Sequence, residues 1–334
     1  MKKYIAHAGI HLGSTLATQN SLRSIEYAAA AGFDFVELDV WITSDGVPVV
    51  LHNREINATY RKKDNYEMIA EIINACDKTY SELCEGYIGK ADNEADRAII
   101  PTLSEALTLC KKLGIIPMIH PKADDHASTA CIMKVSDEAV GKMQYYIVSS
   151  NAACDYVLAQ NPNHPCMVIV KDKNGIDKYS ENTNVIIAIR RGADYAELVS
   201  YAHEKGHQVE TTLNDDVHSD YIADVINYDY RSPGRFEKYE DVISEAFDDR
   251  ILAAGEEFFF CGKEMCFGTI EASFRMRGKA MLTVCGREFT LDAEEMTDFR
   301  ATVFVYCRKS SLSISAQSDV KIENLKIRTG KHEL

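Results

Sequence analysis

The chain has 334 residues, room for one large domain plus a small one or for two medium ones. Its formal net charge of −14, with no cluster of Lys and Arg, excludes the basic surface that nucleic-acid backbones require. Hydrophobic residues make up 46% and charged residues 26%, so a sizeable core is readily built, yet no run of about 18 apolar residues exists to span a bilayer.

From residue 3 to about 230, strand-like runs alternate with helical patterns, the signature of parallel β/α units. "KKYIAHAG" reads as the first strand. "NSLRSIEYAAAAG" is a helix, with a polar cap at Asn20 or Ser21 and Gly32 as terminator. "FDFVELDVWI" is the second strand, and "GVPVVLHN" continues or returns from it. A polar insertion follows over residues 54–97, with short helices expected in "YEMIAEIINACDKTYSELC". "IPTLSEALTLCKKLG" is a clear helix, with Pro101 near its first turn. "IIPMIH" is the third strand, and "QYYIVSS", "PCMVIV", "NVIIAI", "HQVETTL" and "ADVINY" supply five more. "DYAELVSYAHEKG" is an amphipathic helix among them. Eight strands with intervening helices fit a closed (β/α)8 TIM-type barrel. A doubly wound open sheet is the alternative, but no Gly-rich nucleotide turn follows the first strand.

Beyond residue 250 the helical period gives way to two-residue alternation in "TIEASFRMRG", "KAMLTVCG", "FRATVFVYC", "SLSISA" and "VKIENLKIR". The expected organisation is therefore a barrel over 1–250 and an antiparallel β domain, a sandwich or small jelly roll, over 251–334. "EKYEDVISEAFDDRILAAG" is expected to bridge the two as a helix. The ten cysteines form no C-x-x-C pair, and most sit in apolar periods as packed thiols, as Cys110 does. With an N-terminus that lacks a secretory apolar core, this sets the expectation of a reduced, cytoplasmic protein.

Active groups of a parallel barrel come from the C-terminal ends of its strands. The first strand ends at His7. The second carries Glu37 and Asp39, two residues apart and so on one face. "VPVVLHN" ends at His52, and the third strand ends at His120 and Lys122. Two carboxylates flanked by imidazoles suit a divalent cation, the histidines suit general acid–base work, and a lysine suits an anionic substrate. The combination points to metal-assisted attack on a phosphate ester. His11, His126, His164, His203, His207 and His218 fall in loops or helices and read as packing or solvated residues.

The motifs "HAG" (7–9), "QNS" (19–21), "VELDVWITSDG" (36–46), "VVLHN" (49–53), "IPTLSEAL" (100–107) and "IHPK" (119–122) resemble those of the glycerophosphodiester phosphodiesterase family. The resemblance is most specific over residues 5–53, extends more weakly to about 230, and does not reach the C-terminal domain. It implies His7 and His52 as the acid–base pair, and Glu37, Asp39 and His120 as ligands of a divalent metal. It also implies Lys122 and Gln19 as substrate-contacting residues, a small-molecule phosphodiester as substrate, and a place in lipid metabolism. Ala8 stands where the family has an arginine, Gln19 where it has a glutamate, Asn53 where it has an aspartate, and His120 where it has a carboxylate. The exchanges at Gln19 and His120 make the site less negative, shifting its preference from the family's Mg²⁺ or Ca²⁺ toward Zn²⁺ or Mn²⁺. The alternative reading is a barrel that has lost catalysis and binds a phosphorylated or carbohydrate-like ligand. The C-terminal domain resembles carbohydrate-binding modules in architecture only, and stabilisation or homo-oligomer formation is an equal expectation for it.

Overall fold

A computed structural model describes residues 3–11, 14, 16–92, 94–123, 125–150, 152–190, 192, 194–213, 222–228, 237–243, 250–284 and 287–332. The chain divides into two compact units, Met1–Arg231 and Ser232–Leu334.

In the first unit, β1 (Lys3–Ala6) leads to α1 (Leu22–Ala30), and β2 (Phe35–Ile42) turns back antiparallel into β3 (Pro48–Val50). The insertion contributes β4 (Tyr60–Lys62), α2 (Tyr80–Gly86) and β5 (Tyr87–Gly89). Then come α3 (Leu103–Leu113), β6 (Ile116–Pro121), α4 (His126–Val140), β7 (Tyr146–Ser149), α5 (Ala152–Gln160) and β8 (Cys166–Val170). The unit closes with α6 (Lys173–Asp177), β9 (Val185–Ile189), α7 (Tyr195–Glu204), β10 (Val209–Leu213) and β11 (Val225–Tyr228).

The eight parallel strands run β1-β2-β6-β7-β8-β9-β10-β11 and close because β1 pairs with both β2 and β11. This is the TIM-type barrel expected from the alternating pattern. The interior is filled by Ile5, Phe35, Met118, Tyr146, Val148, Met167, Ile186, Ala188 and Val225, inward residues of successive strands. The helices start where the sequence signals them. Ser21 caps α1, and Thr102 with Glu105 forms a capping box on α3, with Pro101 just outside it. Gly114, at φ 75°, ends α3 in the left-handed conformation that glycine adopts without strain.

The insertion folds on its own small core of Ile56, Tyr60, Ile69, Ile73, Ala75 and Leu83 against Val49, Leu51 and Ile100. Tyr60 is wholly buried there, and the Tyr66 ring lies under Arg97, so these tyrosines pack locally. The insertion also grips the loop after β1. Thr18 Oγ1 donates to the Lys90 carbonyl at 3.1 Å, and Gln19 Nε2 donates to Thr59 Oγ1 at 2.9 Å.

The second unit is all-β: β12 (Glu237–Ile243), β13 (Arg250–Leu252), β14 (Glu257–Val284), β15 (Arg287–Ala316) and β16 (Val320–His332) form one antiparallel sheet. Its two long strands each join a pair of the alternating segments. Ala280 to Val284 pair with both ends of β15, which rolls the sheet around one core. The helix expected over 237–255 does not form across Glu237–Ile243. That segment pairs residue by residue with β16, and sheet partners for the backbone outweigh a weak local helical preference. Residues 244–249 and His218 lie outside the described residues. Among the described side chains Cys76, Cys84, Cys110, Cys131, Cys154 and Cys166 are free thiols. No described helix is long and apolar enough to cross a membrane.

Candidate active site

The two-residue strand period builds the site directly on the barrel core. Two positions beyond the interior residues Ile5, Phe35, Met118 and Val225 stand His7, Glu37, His120 and Asn227, with Asp39 one further step along β2. The parallel register sets Asp39 beside His120, so carboxylates and imidazole meet across adjacent strands.

His120 Nδ1 lies 3.2 Å from Glu37 Oε1 and 3.5 Å from Asp39 Oδ1. Lys122 Nζ is 2.8 Å from Asp39 Oδ1 and 3.5 Å from His120 Nδ1. One ligand atom from each of Glu37, Asp39 and His120 falls within a 4.8 Å cluster. His7 Nε2 approaches Glu37 Oε1 at 4.0 Å, and the His7 and His52 rings meet edge to face with centroids 6.2 Å apart. His52 is delivered by β3, which returns along β2; Leu51 N donates to the Asp39 carbonyl, and Trp41 Nε1 donates to the His52 carbonyl. Asn53 Oδ1 sits 2.9 Å from His52 Nδ1. In the tautomer that satisfies this contact, Nδ1–H donates and Nε2 keeps its lone pair.

Burial pushes the Glu37 carboxyl up, but the charges of His7 and His120 and hydrogen bonds from His120 and Asn227 outweigh it. The net effect holds the carboxyl far below the usual carboxylate range. Glu37 is thus an anion at any working pH. Asp39 is completely buried, and its Oδ1 has an ion pair with Lys122 but accepts no hydrogen bond of good geometry from the described residues. A buried carboxylate oxygen left in that state, beside a second carboxylate and an imidazole, is a fitting donor set for a divalent cation.

Three polar residues that motif reading passed over complete the site. Asn20 Nδ2 donates to Asp39 Oδ2 at 2.9 Å, and Asn227 Nδ2 donates to Glu37 Oε2 at 2.8 Å. Glu210 is wholly buried on β10, its register partners being the interior residues Ala188 and Val225. Burial lifts its carboxyl to about 7 despite Arg190 nearby. The signal was present: a lone carboxylate in "HQVETTL" and a lone amide in "ADVINY" interrupt strand runs, as His120 does. Gln19, by contrast, directs its amide to Thr59.

The fold and site thus define a (β/α)8 barrel carrying two buried carboxylates, an imidazole and a lysine at its C-terminal mouth, a donor set that could hold a divalent cation. The model of the "Glycerophosphoryl diester phosphodiesterase family" matches residues 11–217, and the chain belongs to that family. Glycerophosphodiester phosphodiesterase 1 of Mus musculus is 31% identical over 137 residues, 40% of this chain and 38% of that protein. Its counterpart in Rattus norvegicus is 36% identical over 125 residues, 36% of this chain and 34% of that one. The chain thus spans less than two fifths of the length of these relatives. Among solved structures, a phosphodiesterase from Oleispira antarctica in complex with the product sn-glycerol-3-phosphate aligns with TM-score 0.56 at 20% identity, covering 69% of this chain and 93% of that one. A glycerophosphoryl diester phosphodiesterase from Parabacteroides distasonis gives 0.55 at 19%, covering 69% and 83%. At these identities the likeness establishes the barrel fold.

Proposed function

We propose that the barrel is a metal-dependent phosphodiesterase acting on glycerophosphodiester-like substrates. The observation that carries the reading is the convergence of Glu37, Asp39 and His120 on one cluster, with His7 and His52 beside it. A divalent cation held by Glu37, Asp39 and His120 would supply Lewis-acid stabilisation of charge on the phosphoryl oxygens.

The remaining chemistry belongs to the chain. His52, its Nδ1–H held by Asn53, offers a free Nε2 lone pair and serves as general base toward the attacking oxygen. His7, with Nε2 4.0 Å from Glu37 Oε1, is placed to protonate the leaving alkoxide. Lys122 lies at the edge of the carboxylate cluster and positions a phosphoryl oxygen by charge. Gln19 acts through the loop it pins to Thr59, keeping Asn20 on Asp39. Glu37 and Asp39 are themselves fixed by Asn227 and Asn20, the supporting contacts a metal centre requires.

The test is release of free alcohol from a panel of glycerophosphodiesters, with Mn²⁺, Zn²⁺, Mg²⁺ and Ca²⁺ tried in turn and a chelator as control. Turnover that needs a divalent ion supports the reading. No turnover with any ion rejects it in favour of a ligand-binding barrel.

A further inference from the structure

The ring of mouth residues has a second charged sector that the proposed chemistry does not use. In the closed order of strands, β9 stands opposite β2, with three strands between them on either path. Arg190 is the first residue after β9, two positions beyond the interior residue Ala188. Its guanidinium faces the lumen side of β10: Nη1 lies 3.4 Å from Glu210 Oε2 and contacts Thr212 Oγ1. Thr212 is the register partner of Asn227, which holds Glu37. Arg190 therefore stands at the strand ends on the side of the barrel opposite β2, which carries Glu37 and Asp39.

Lys171 reinforces it. It is the first residue after β8, and the pairing of Val170 with Ile189 sets it level with Arg190, one strand spacing of about 4.8 Å away. Lys171 is exposed and makes no ion pair among the described residues. The Arg190 side chain keeps 51% of its surface accessible, whereas Lys122 keeps 17% and is engaged by Asp39. Among the described residues Glu210 is the one acid paired with Arg190, and burial lifts its carboxyl to about 7. The phosphodiester group must lie on the β1–β2–β6 side, where acid, base and carboxylates are. With the phosphodiester on that side, an alcohol portion that extends across the mouth would end beside β8 and β9.

We propose that Lys171 and Arg190 form an anion subsite opposite the carboxylate cluster, selecting phosphodiesters whose alcohol portion carries a second negative group. This rests on the phosphodiesterase reading of the mouth. Phosphate and carboxylate share the chemistry a guanidinium and an ammonium recognise.

The experiment compares glycerophosphoglycerol with two analogues of similar skeleton: bis(glycerophospho)glycerol, with a second phosphodiester, and glycerophosphoglycerate, with a carboxylate. Each is measured twice on the full chain, by calorimetric binding without added metal and by turnover with the activating ion. The wild type should prefer one or both dianions by about 10- to 100-fold, the range of a charge-assisted contact. A Lys171→Gln, Arg190→Gln double variant should lose that preference, and Arg190→Lys should keep most of it. Which analogue is preferred tells phosphate from carboxylate. Turnover of all three without preference, or a preference that survives in the double variant, overturns the subsite and leaves the diesterase reading standing. Absence of turnover with a binding preference that the double variant loses supports the subsite and overturns the diesterase reading. Neither turnover nor binding preference overturns both.

Discussion

Asn20 and Asp39 are joined twice. The Asn20 amide donates to Asp39 Oδ2 at 2.9 Å, while its own side-chain oxygen accepts from the Asp39 backbone N–H at 3.3 Å. Both residues are buried, and Asn20 reaches this position at φ 57°, a left-handed conformation asparagine tolerates better than most residues. The loop after β1 is thereby locked to the strand that carries both carboxylates.

Replacing Asn20 with glycine keeps the left-handed backbone and removes only the amide. Asn20→Gly should cost about 1–3 kcal/mol, since a buried carboxylate loses a donor. It should also weaken divalent-ion binding by about 10- to 100-fold, the usual effect of losing a ligand's supporting contact. Urea unfolding and calorimetric titration with Mn²⁺ measure the two effects, and unchanged ion affinity would remove Asn20 from the centre.

On the proposed metal reading, His120 is the ligand that would set the preference for the ion. His120→Ala should lower Mn²⁺ affinity at least about tenfold, and His120→Glu should shift preference toward Mg²⁺ or Ca²⁺ by restoring an all-oxygen set. An affinity indifferent to His120→Ala rejects its role as a ligand.

The two histidines separate from the ligands by their kinetics. His7→Ala and His52→Ala should each lower kcat by about 10²- to 10⁴-fold while ion affinity changes only a few-fold. A variant that loses ion binding in parallel with activity is acting on the centre and not on proton transfer.

Glu210 provides a pH test of the fold. Its carboxyl titrates near 7 in the folded protein against an ordinary value of 4.5, so the native state binds the proton more tightly than the unfolded chain. Its contribution is full below about 4.5 and is lost as pH rises through about 7. The difference corresponds to about 3 kcal/mol at most. Glu210→Gln should therefore gain stability over the wild type as pH rises from 5 to 8. A difference in urea midpoint that stays flat across that range refutes the assignment.

Gly9 is a steric requirement of the same loop. At φ 74°, a Cβ there would lie 2.4 Å from Ser24 Oγ, on a buried side chain of the capping turn of α1. Gly9→Ala should cost about 1–3 kcal/mol from backbone conformation, with the clash in addition. Thermal unfolding reports the loss.

Legibility followed periodicity. Strand ends could be found because side chains alternate, and His7, Glu37, Asp39 and His120 stood out as polar groups where apolar runs stop. Glu210 and Asn227 obey the same rule but lie inside strands far along the chain, matched to no motif, so only closure of the barrel gives them partners. Asn20 was hidden beside Gln19. Both are amides in one tripeptide, and which one turns toward Asp39 depends on backbone handedness at position 20. The segment 237–243 was misread because its composition suits a helix, whereas it pairs with β16 residues 84 to 95 positions away, from Ile243 with Ile327 to Glu237 with His332.

By itself the sequence determined the eight-strand alternation, the all-β character of the C-terminal unit and the four ligand and acid–base candidates nearest the N-terminus. These are consequences of local pattern: period two for strands, caps and glycines for helix ends. The tertiary structure alone decided that Asp39 lies beside His120, that Asn227 reaches Glu37, and that Arg190 follows the strand opposite β2. Those relations depend on register and ring closure, which arise only when every strand has found its neighbour.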